Sequence, residues 1–263
     1  MITSRNNPKI KNIVRLSKAT ERQQQNLFVV EGFREIDRAL RSAYEAAQFY
    51  YCPDLCKSEQ NNELLKRLPQ HCDQEAITPE VFEKIAYREG SDGFVAVFLP
   101  KQHHLANFNP SEKPLILVVE SVEKPGNLGA VLRTADAAGL DAVIVCDPRT
   151  DIYNPNTIRS SVGCVFTVPI YTSTTAEVIQ WLDKHQILSY ATSLEASIPY
   201  TRADFTQASA IIMGTEATGL TEAWLVAANH RIIIPMHGIA DSLNISTSAA
   251  IVVFEAVRQR NNS

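Results

Sequence analysis

A chain of 263 residues, 45% hydrophobic and 21% charged, has room for one large globular domain or two ordinary ones. A formal net charge of −4 excludes indiscriminate nucleic-acid binding by the whole surface, and no apolar run approaches a bilayer span. The start, MITSRNNPKIKNIVRLSK, lacks the apolar stretch of a secretory signal, and the five cysteines (52, 56, 72, 146 and 164) show no framework spacing, so a cytoplasmic protein with reduced thiols and no membrane attachment is expected.

In chain order, the first helix carries Ile10, Ile13, Val14 and Leu16 as an apolar stripe. Residues 1–22 hold six basic side chains (Arg5, Lys9, Lys11, Arg15, Lys18, Arg22) against Glu21, so this segment is +5 and the rest of the chain −9. That suits either a phosphate-binding face or a plain solvated helix. Leu27–Val30 reads as a strand and Glu31–Ala43 as a helix. Strands near 47–51 and 94–98 and helices near 59–67 and 79–86 complete an α/β unit over 1–98. The stretch 99–112, with its prolines and no clean period, reads as a linker. Over 113–263, strands are expected at 115–119, 142–146, 187–191, 210–213 and 231–234, with a shorter one at 165–168. Helices are expected at 128–138, 155–161, 174–184, 221–228 and 244–259. Such alternation predicts a mainly parallel sheet covered by helices on both faces.

Three polar segments fall where apolar strands give way to helices, the edge at which open α/β sheets bind ligands. In EKPGNLGAVLRTADAAG (123–139), Asn127 reads as a helix N-cap. Arg133 projects over a face of small residues (Gly129, Ala130, Ala137), which fits either an anion seat or an ordinary exposed arginine. In GTEATGL (214–220), Gly214 permits close backbone approach, and Glu216 is a turn cap, a partner for Arg133 or a plain loop acid. In IPMHGIADSLNIS (234–246), Ser242 and Asn244 read as polar groups at the start of a helix that is almost wholly apolar from Ala249 to Phe254. A helix apolar all round is buried, and in a protein of this size that points to a subunit interface. His237 in the same loop is a proton shuttle or an exposed loop histidine. GxGxxG and GxxxxGK[ST] are absent, and Cys52, Cys56, His71 and Cys72 match no common zinc spacing, so no metal site is expected.

In order and spacing, these segments resemble the SpoU (TrmH-like) family of RNA ribose methyltransferases, of the SPOUT superfamily. The resemblance rests on Asn127 with Arg133, on Gly214, Glu216, Gly219 and Leu220, and on Ile234–Met236 with Ser242–Asn244. It covers 113–260, and SRNNPKIK (4–11) with FVVEGFREIDRAL (28–40) resembles the family's N-terminal substrate-binding domain. Ala217 stands where many members carry glycine, and Thr247 and Ser248 replace a more apolar pair.

The resemblance implies a deep trefoil knot, a homodimer with its site near the interface, and S-adenosyl-L-methionine as methyl donor. It implies transfer to a ribose 2′-hydroxyl of RNA, with 23S ribosomal RNA placed ahead of transfer RNA by analogy. A non-catalytic RNA-binding or ribosome-assembly protein on the same scaffold is the alternative from another class. By resemblance, the backbone around Thr192, Gly214, Ile234, Met236 and Leu243 holds the donor, with Gly214 leaving room for it. Arg133 is the central catalytic residue, and Asn127, Glu216, Ser242 and Asn244 position it, the ribose and the donor. A general-base role and a milder phosphate- and charge-stabilising role for Arg133 both stay open.

Overall fold

The computed structural model describes every residue except Arg88, Glu89, Ala196, Glu216, Ala217 and Ser263. Two compact units emerge: Met1–Gln102 with Asp151–Thr167, and His103–Thr150 with Val168–Ser263.

The first unit begins with α1 (Pro8–Arg15), where Pro8 presets the first turn and the Asn7 side chain accepts from the Lys9 amide. The helix stops at Leu16, and a second one, α2 (Ala19–Gln25), follows a short break. β1 (Phe28–Glu31), α3 (Phe33–Arg41), β2 (Ala46–Tyr51), α4 (Ser58–Leu65), β3 (Asp73–Ala76), α5 (Pro79–Ile85) and β4 (Phe94–Phe98) complete the N-terminal run. The sheet order is β1-β4-β2-β3, antiparallel but for the β2–β3 pair. β3 (DQEA) is a half-exposed edge strand with no apolar alternation, so the sequence pattern held no signal for it. Every residue of β4 is buried, as a strand covered on both faces requires. Ile10, Ile13, Val81 and Phe82 cover Val95 and Val97 on one side.

Four of the six basic side chains of the first segment are paired, and Lys11 and Lys18 are exposed without an ion pair among the described residues. Arg5 pairs with Glu83, Lys9 with Asp73 and Glu75, Arg15 with Glu21, and Arg22 with Asp151.

The second unit starts earlier than the sequence suggests. His103 and the turn Leu105–Asn107 lie within the stretch read as a linker. Yet the His103 carbonyl accepts from the Thr172 amide, and Leu105 and Phe108 are buried in this unit's core. Phe108 stacks on Tyr171 and Trp181 with ring centroids 4.6 and 5.2 Å away. β5 (Leu115–Glu120), α6 (Pro125–Ala138) and β6 (Ala142–Cys146) follow, with Gly139 in the left-handed conformation closing α6.

The chain then contributes α7 (Pro155–Ser160) and a helical turn at Cys164–Phe166 to the first unit. The strand expected at 165–168 is therefore a turn. Its aromatic residue fills the first unit's other face: Phe28 stacks on Tyr153 at 4.1 Å and lies 6.0 Å from Phe166. Buried Arg22 ties this segment down, donating to Asp151 (2.6 Å) and to the carbonyls of Leu16 and Ser17.

The remaining elements return to the second unit: β7 (Ile170–Ser173), α8 (Thr175–Lys184), β8 (Leu188–Thr192), β9 (Ile198–Pro199), β10 (Ser209–Met213), α9 (Glu222–Ala227), β11 (His230–Ile233) and α10 (Ile245–Asn261). The seven strands are all parallel, in the order β7-β6-β5-β10-β8-β11-β9. Val178, Leu182 and Trp224 of α8 and α9 pack on one face with Ile116, Val118 and Ile212. α6 and α10 pack against each other, and α10 also against β10. At its far end α10 is fixed by Arg260, which donates to the carbonyls of Lys113, Pro114, Phe205 and Gln207. Within one chain α10 is not buried all round: Ala249, Val252 and Val253 face inward while Phe254 is 47% exposed. Among the described residues no helix is long and apolar enough to cross a membrane.

Arg22→Ala strips the partner from Asp151 and leaves two carbonyls short of a donor. It is expected to lower the stability of the first unit by about 3 kcal/mol, the scale for breaking a buried pair from one side, read from urea denaturation.

Candidate active site

β5 and β10 are neighbours, yet the chain leaves β5 toward β6 and β7 on one side and reaches β8 and β11 on the other. This is the switch point of the sheet, where a crevice opens beyond the carboxyl ends of the strands. Val119 pairs with Met213, so both strands end level and their loops leave the same edge. Ser121 and Asp147, just past β5 and β6, are held at φ 49° and 45°, a left-handed conformation that costs a non-glycine residue about 1 kcal/mol or more.

Asn127 is not the N-cap of α6. Lys124 takes that place and Pro125 the first helical position, which sets Asn127 inside the first turn. Its side chain is thereby free to face the third segment: Asn244 Nδ2 donates to Asn127 Oδ1 at 3.2 Å. Asn244 is itself the N-cap of α10, accepting from the Ser246 amide at 3.0 Å and the Ser246 hydroxyl at 2.6 Å. Capping and the bond to Asn127 thus coexist in one side chain. Ser242 lies ahead of the helix and donates to Asp241 at 3.2 Å, so it does not open α10. Arg133 is exposed on α6 and makes no hydrogen bond or ion pair among the described residues; no such contact joins it to the Asn127–Asn244 pair. Glu216 and Ala217 lie outside the described residues.

Three of the five residues expected around the donor lie at the ends of three adjacent strands. Thr192 ends β8 and donates to the Ile212 carbonyl at 3.0 Å, Gly214 follows β10, and Ile234 follows β11. Ile234 and Met236 are half-buried, and Leu243 is 37% exposed. Gly214 is required for a reason other than ligand access. A Cβ there would sit 2.2–2.4 Å from the Gly219 carbonyl and the Leu220 nitrogen, because Gly219 and Leu220 come back against Gly214. Reciprocal bonds between Thr215 and Gly219, each 3.1 Å, close that turn. His237 is exposed in the loop after β11.

Sequence patterning missed Glu120, the last residue of β5, only 1% exposed. Its carboxylate accepts from the Thr175 hydroxyl (2.9 Å), the Thr221 amide (2.9 Å) and the Thr221 hydroxyl (2.8 Å). It thereby anchors the starts of α8 and α9 at the switch point. The available signal was an acid closing the apolar run LILVV, where both faces of the strand are buried. Burial pushes the thiol of Cys146, at the end of β6, well above the ordinary value, with Glu120 and Asp147 adding to the shift, which disfavours the reactive thiolate. Among the described residues no three His, Cys, Asp or Glu side chains are grouped to hold a metal ion.

Between the loop after β5 and the 214–220 turn lies a cleft of about 370 Å³, lined by Glu120, Lys124, Asn127, Arg149, Thr218 and Ile245 among others. Arg149 pairs across its mouth with Glu123 at 2.7 Å, both exposed.

A seven-stranded parallel sheet of this order, with three loops converging on one edge, is typical of the SPOUT fold. Residues 114–254 match the model of the SpoU rRNA Methylase family, and residues 7–96 that of the MRM3-like substrate binding domain. The chain belongs to the SpoU rRNA methylase family. It is 31% identical to the 23S rRNA (guanosine(2553)-2'-O)-methyltransferase RlmP of Bacillus subtilis, over 96% of this chain and 97% of that one. A crystal structure of an RNA 2'-O ribose methyltransferase superposes with a TM-score of 0.87 at 39% identity, covering 99% of each chain. The SpoU methyltransferase AviRb from Streptomyces viridochromogenes, in complex with AdoMet, superposes at 0.90 with 28% identity, over 98% of this chain and 100% of that one.

Two changes test the construction of this edge. Glu120→Gln turns one acceptor into a donor facing the Thr221 amide and should cost about 1–3 kcal/mol in thermal or urea unfolding. Gly214→Ala forces the turn apart, so the Thr215 and Gly219 amides should exchange with deuterium faster while core strand amides keep their protection.

Proposed function

We propose that this protein transfers a methyl group from S-adenosyl-L-methionine to a ribose 2′-hydroxyl of 23S ribosomal RNA. The observation that carries the reading is the Asn127–Asn244 hydrogen bond, which joins two motif segments far apart in sequence at the switch point of the sheet. Family membership and the 23S ribosomal RNA named for the Bacillus relative support the reaction and the substrate. The match of residues 7–96 to a substrate-binding domain supports RNA selection by the first unit.

The donor fits the ends of β8, β10 and β11. Ile234, Met236 and Leu243 offer partly buried apolar surface there. Among the described residues, no hydrogen bond engages the backbone N–H groups of 236–243. Apolar walls with a few directed polar groups are what a small heteroaromatic ligand needs. Thr192, Gly214, Ile234, Met236 and Leu243 would hold it. When bound, S-adenosyl-L-methionine supplies an activated methyl on a sulfonium.

The chain's own residues then have separate tasks. Asn244, capping a long helix and bonded to Asn127, is a rigid polar group beside the donor segment. Arg133 offers a guanidinium that makes no hydrogen bond or ion pair among the described residues, on the same helix as Asn127, suited to an RNA phosphate and to charge growing on the 2′-oxygen. A planar fork does this better than an ammonium. Ser242 and Glu216 complete the proposed polar set. Apolar side chains left open around α10, among them Ile239, Leu243 and Phe254, support a homodimer that covers this face.

Arg133→Lys retains charge but loses the fork. It should reduce the methylation rate on 23S ribosomal RNA by about a hundredfold, the scale of a lost transition-state donor, while calorimetry finds donor affinity unchanged. A full rate would remove Arg133 from the chemistry, and absence of donor binding by the unaltered protein would overturn the reaction itself.

A further inference from the structure

We propose that the cleft between the loop after β5 and the 214–220 turn receives the methyl-accepting nucleotide, drawn out of its RNA stack. This inference rests on the ribose-methylation reading above.

The first argument is position. None of Thr192, Gly214, Ile234, Met236 or Leu243 lines the cleft, so it lies apart from the proposed donor seat. It is nevertheless joined to that seat, because Asn127 is in its wall and is bonded to Asn244. A nucleotide in the cleft therefore has its sugar end bounded by the Asn pair, where donor and acceptor must meet within contact distance.

The second argument is size and lining. About 370 Å³ is within the range of small-molecule sites. Buried Val122 and Ile245 supply apolar contact for the face of a base. Opposite them, the Thr215 and Thr218 hydroxyls, bonded to each other at 2.8 Å and exposed or half-exposed, offer donors and acceptors to a base edge or a ribose. Glu120 lies at the floor with its oxygens taken by Thr175 and Thr221, so it holds the wall in shape and leaves recognition to the threonines.

The third argument is charge. Lys124 and Arg149 are exposed cations at the mouth, and the first turn of α6 opens on the same space. Arg149 is held only by an exposed pair with Glu123 among the described residues. Such a solvent-exposed pair is weak, so a phosphate can displace the carboxylate at little cost. Glu123 then acts as a competitor that the flanking phosphate must replace.

The experiment uses the full chain, an unmodified 23S ribosomal RNA transcript and radiolabelled S-adenosyl-L-methionine. Arg149→Ala removes the phosphate contact, and Thr218→Trp fills the cleft. Each should raise the KM for RNA by about tenfold or more, with the Kd for the donor within about twofold of the unaltered protein. Glu123→Gln should lower the KM for RNA. An unchanged KM for RNA in both Arg149→Ala and Thr218→Trp overturns the proposal. So does a parallel loss of donor affinity, which would make the cleft part of the donor seat. If the unaltered protein transfers no methyl group, the reaction reading falls, and filter binding of the transcript to Arg149→Ala and Thr218→Trp still decides the cleft: a tenfold weaker Kd supports it and equal affinity removes it.

Discussion

The parallel pairing of Leu115–Val119 with Ser209–Met213 is the constraint on which the site depends. It brings together stretches almost a hundred residues apart and ends them level. The first segment and the 214–220 turn consequently leave the sheet side by side. Burial on both faces demands the apolar runs LILVV and AIIM, and it leaves the strand ends as the place for polar chemistry. Glu120 is the first polar residue beyond that limit. A carboxyl group this deeply buried needs partners that replace its water, and Thr175 and Thr221 supply them. The starts of α8 and α9 are thereby tied to the end of β5.

The 214–220 turn works as a partition. On the β8–β11 side lie the strand ends proposed to hold the sulfonium donor. On the β5 side lies the polar cleft. The Asn127–Asn244 bond connects the two. In the proposed reading, division of this kind suits a reaction between a small cofactor and one nucleotide of a large RNA, because each partner would be gripped by different loops and only the reacting atoms would share a boundary. Gly214 and Gly219 let the partition be thin: the carbonyl of the second occupies the space a side chain on the first would need.

Much of this was legible in the sequence, for physical reasons that differ by element. The apolar strands of the second unit fell where expected because parallel strands buried on both faces leave little ambiguity. The described motif residues Asn127, Gly214, Ile234 and Asn244 also follow or flank strands that end at one sheet edge, as the position of polar residues after such strands suggested. β3 was invisible because an exposed edge strand needs no apolar pattern. The segment 165–168 looked like a strand because Val165, Phe166 and Val168 are all buried, but they fill a helical turn and its exit. Asn127 was read as a cap because its chemistry suits one. Pro125 starts the helix sooner and frees the amide for Asn244. The pairing of Arg5, Lys9 and Arg22 within the basic cluster at the start was not legible, because their acidic partners at 73, 75, 83 and 151 are distant in sequence.

The polypeptide passes from one unit to the other at 102/103, again at 150/151 and again at 167/168. No single scission therefore releases either half as a free module. A fragment starting near 113 would keep the Asp151–Thr167 excursion but strand it, with Tyr153 and Phe166 deprived of Phe28 and Tyr44. The partner fragment would lose the aromatic lid over its own sheet. Swapping N-terminal halves between relatives to redirect target choice would thus require transplanting a discontinuous piece, including the 151–167 loop-out, and a graft joined only at the interdomain seam would leave a hydrophobic wound on both sides.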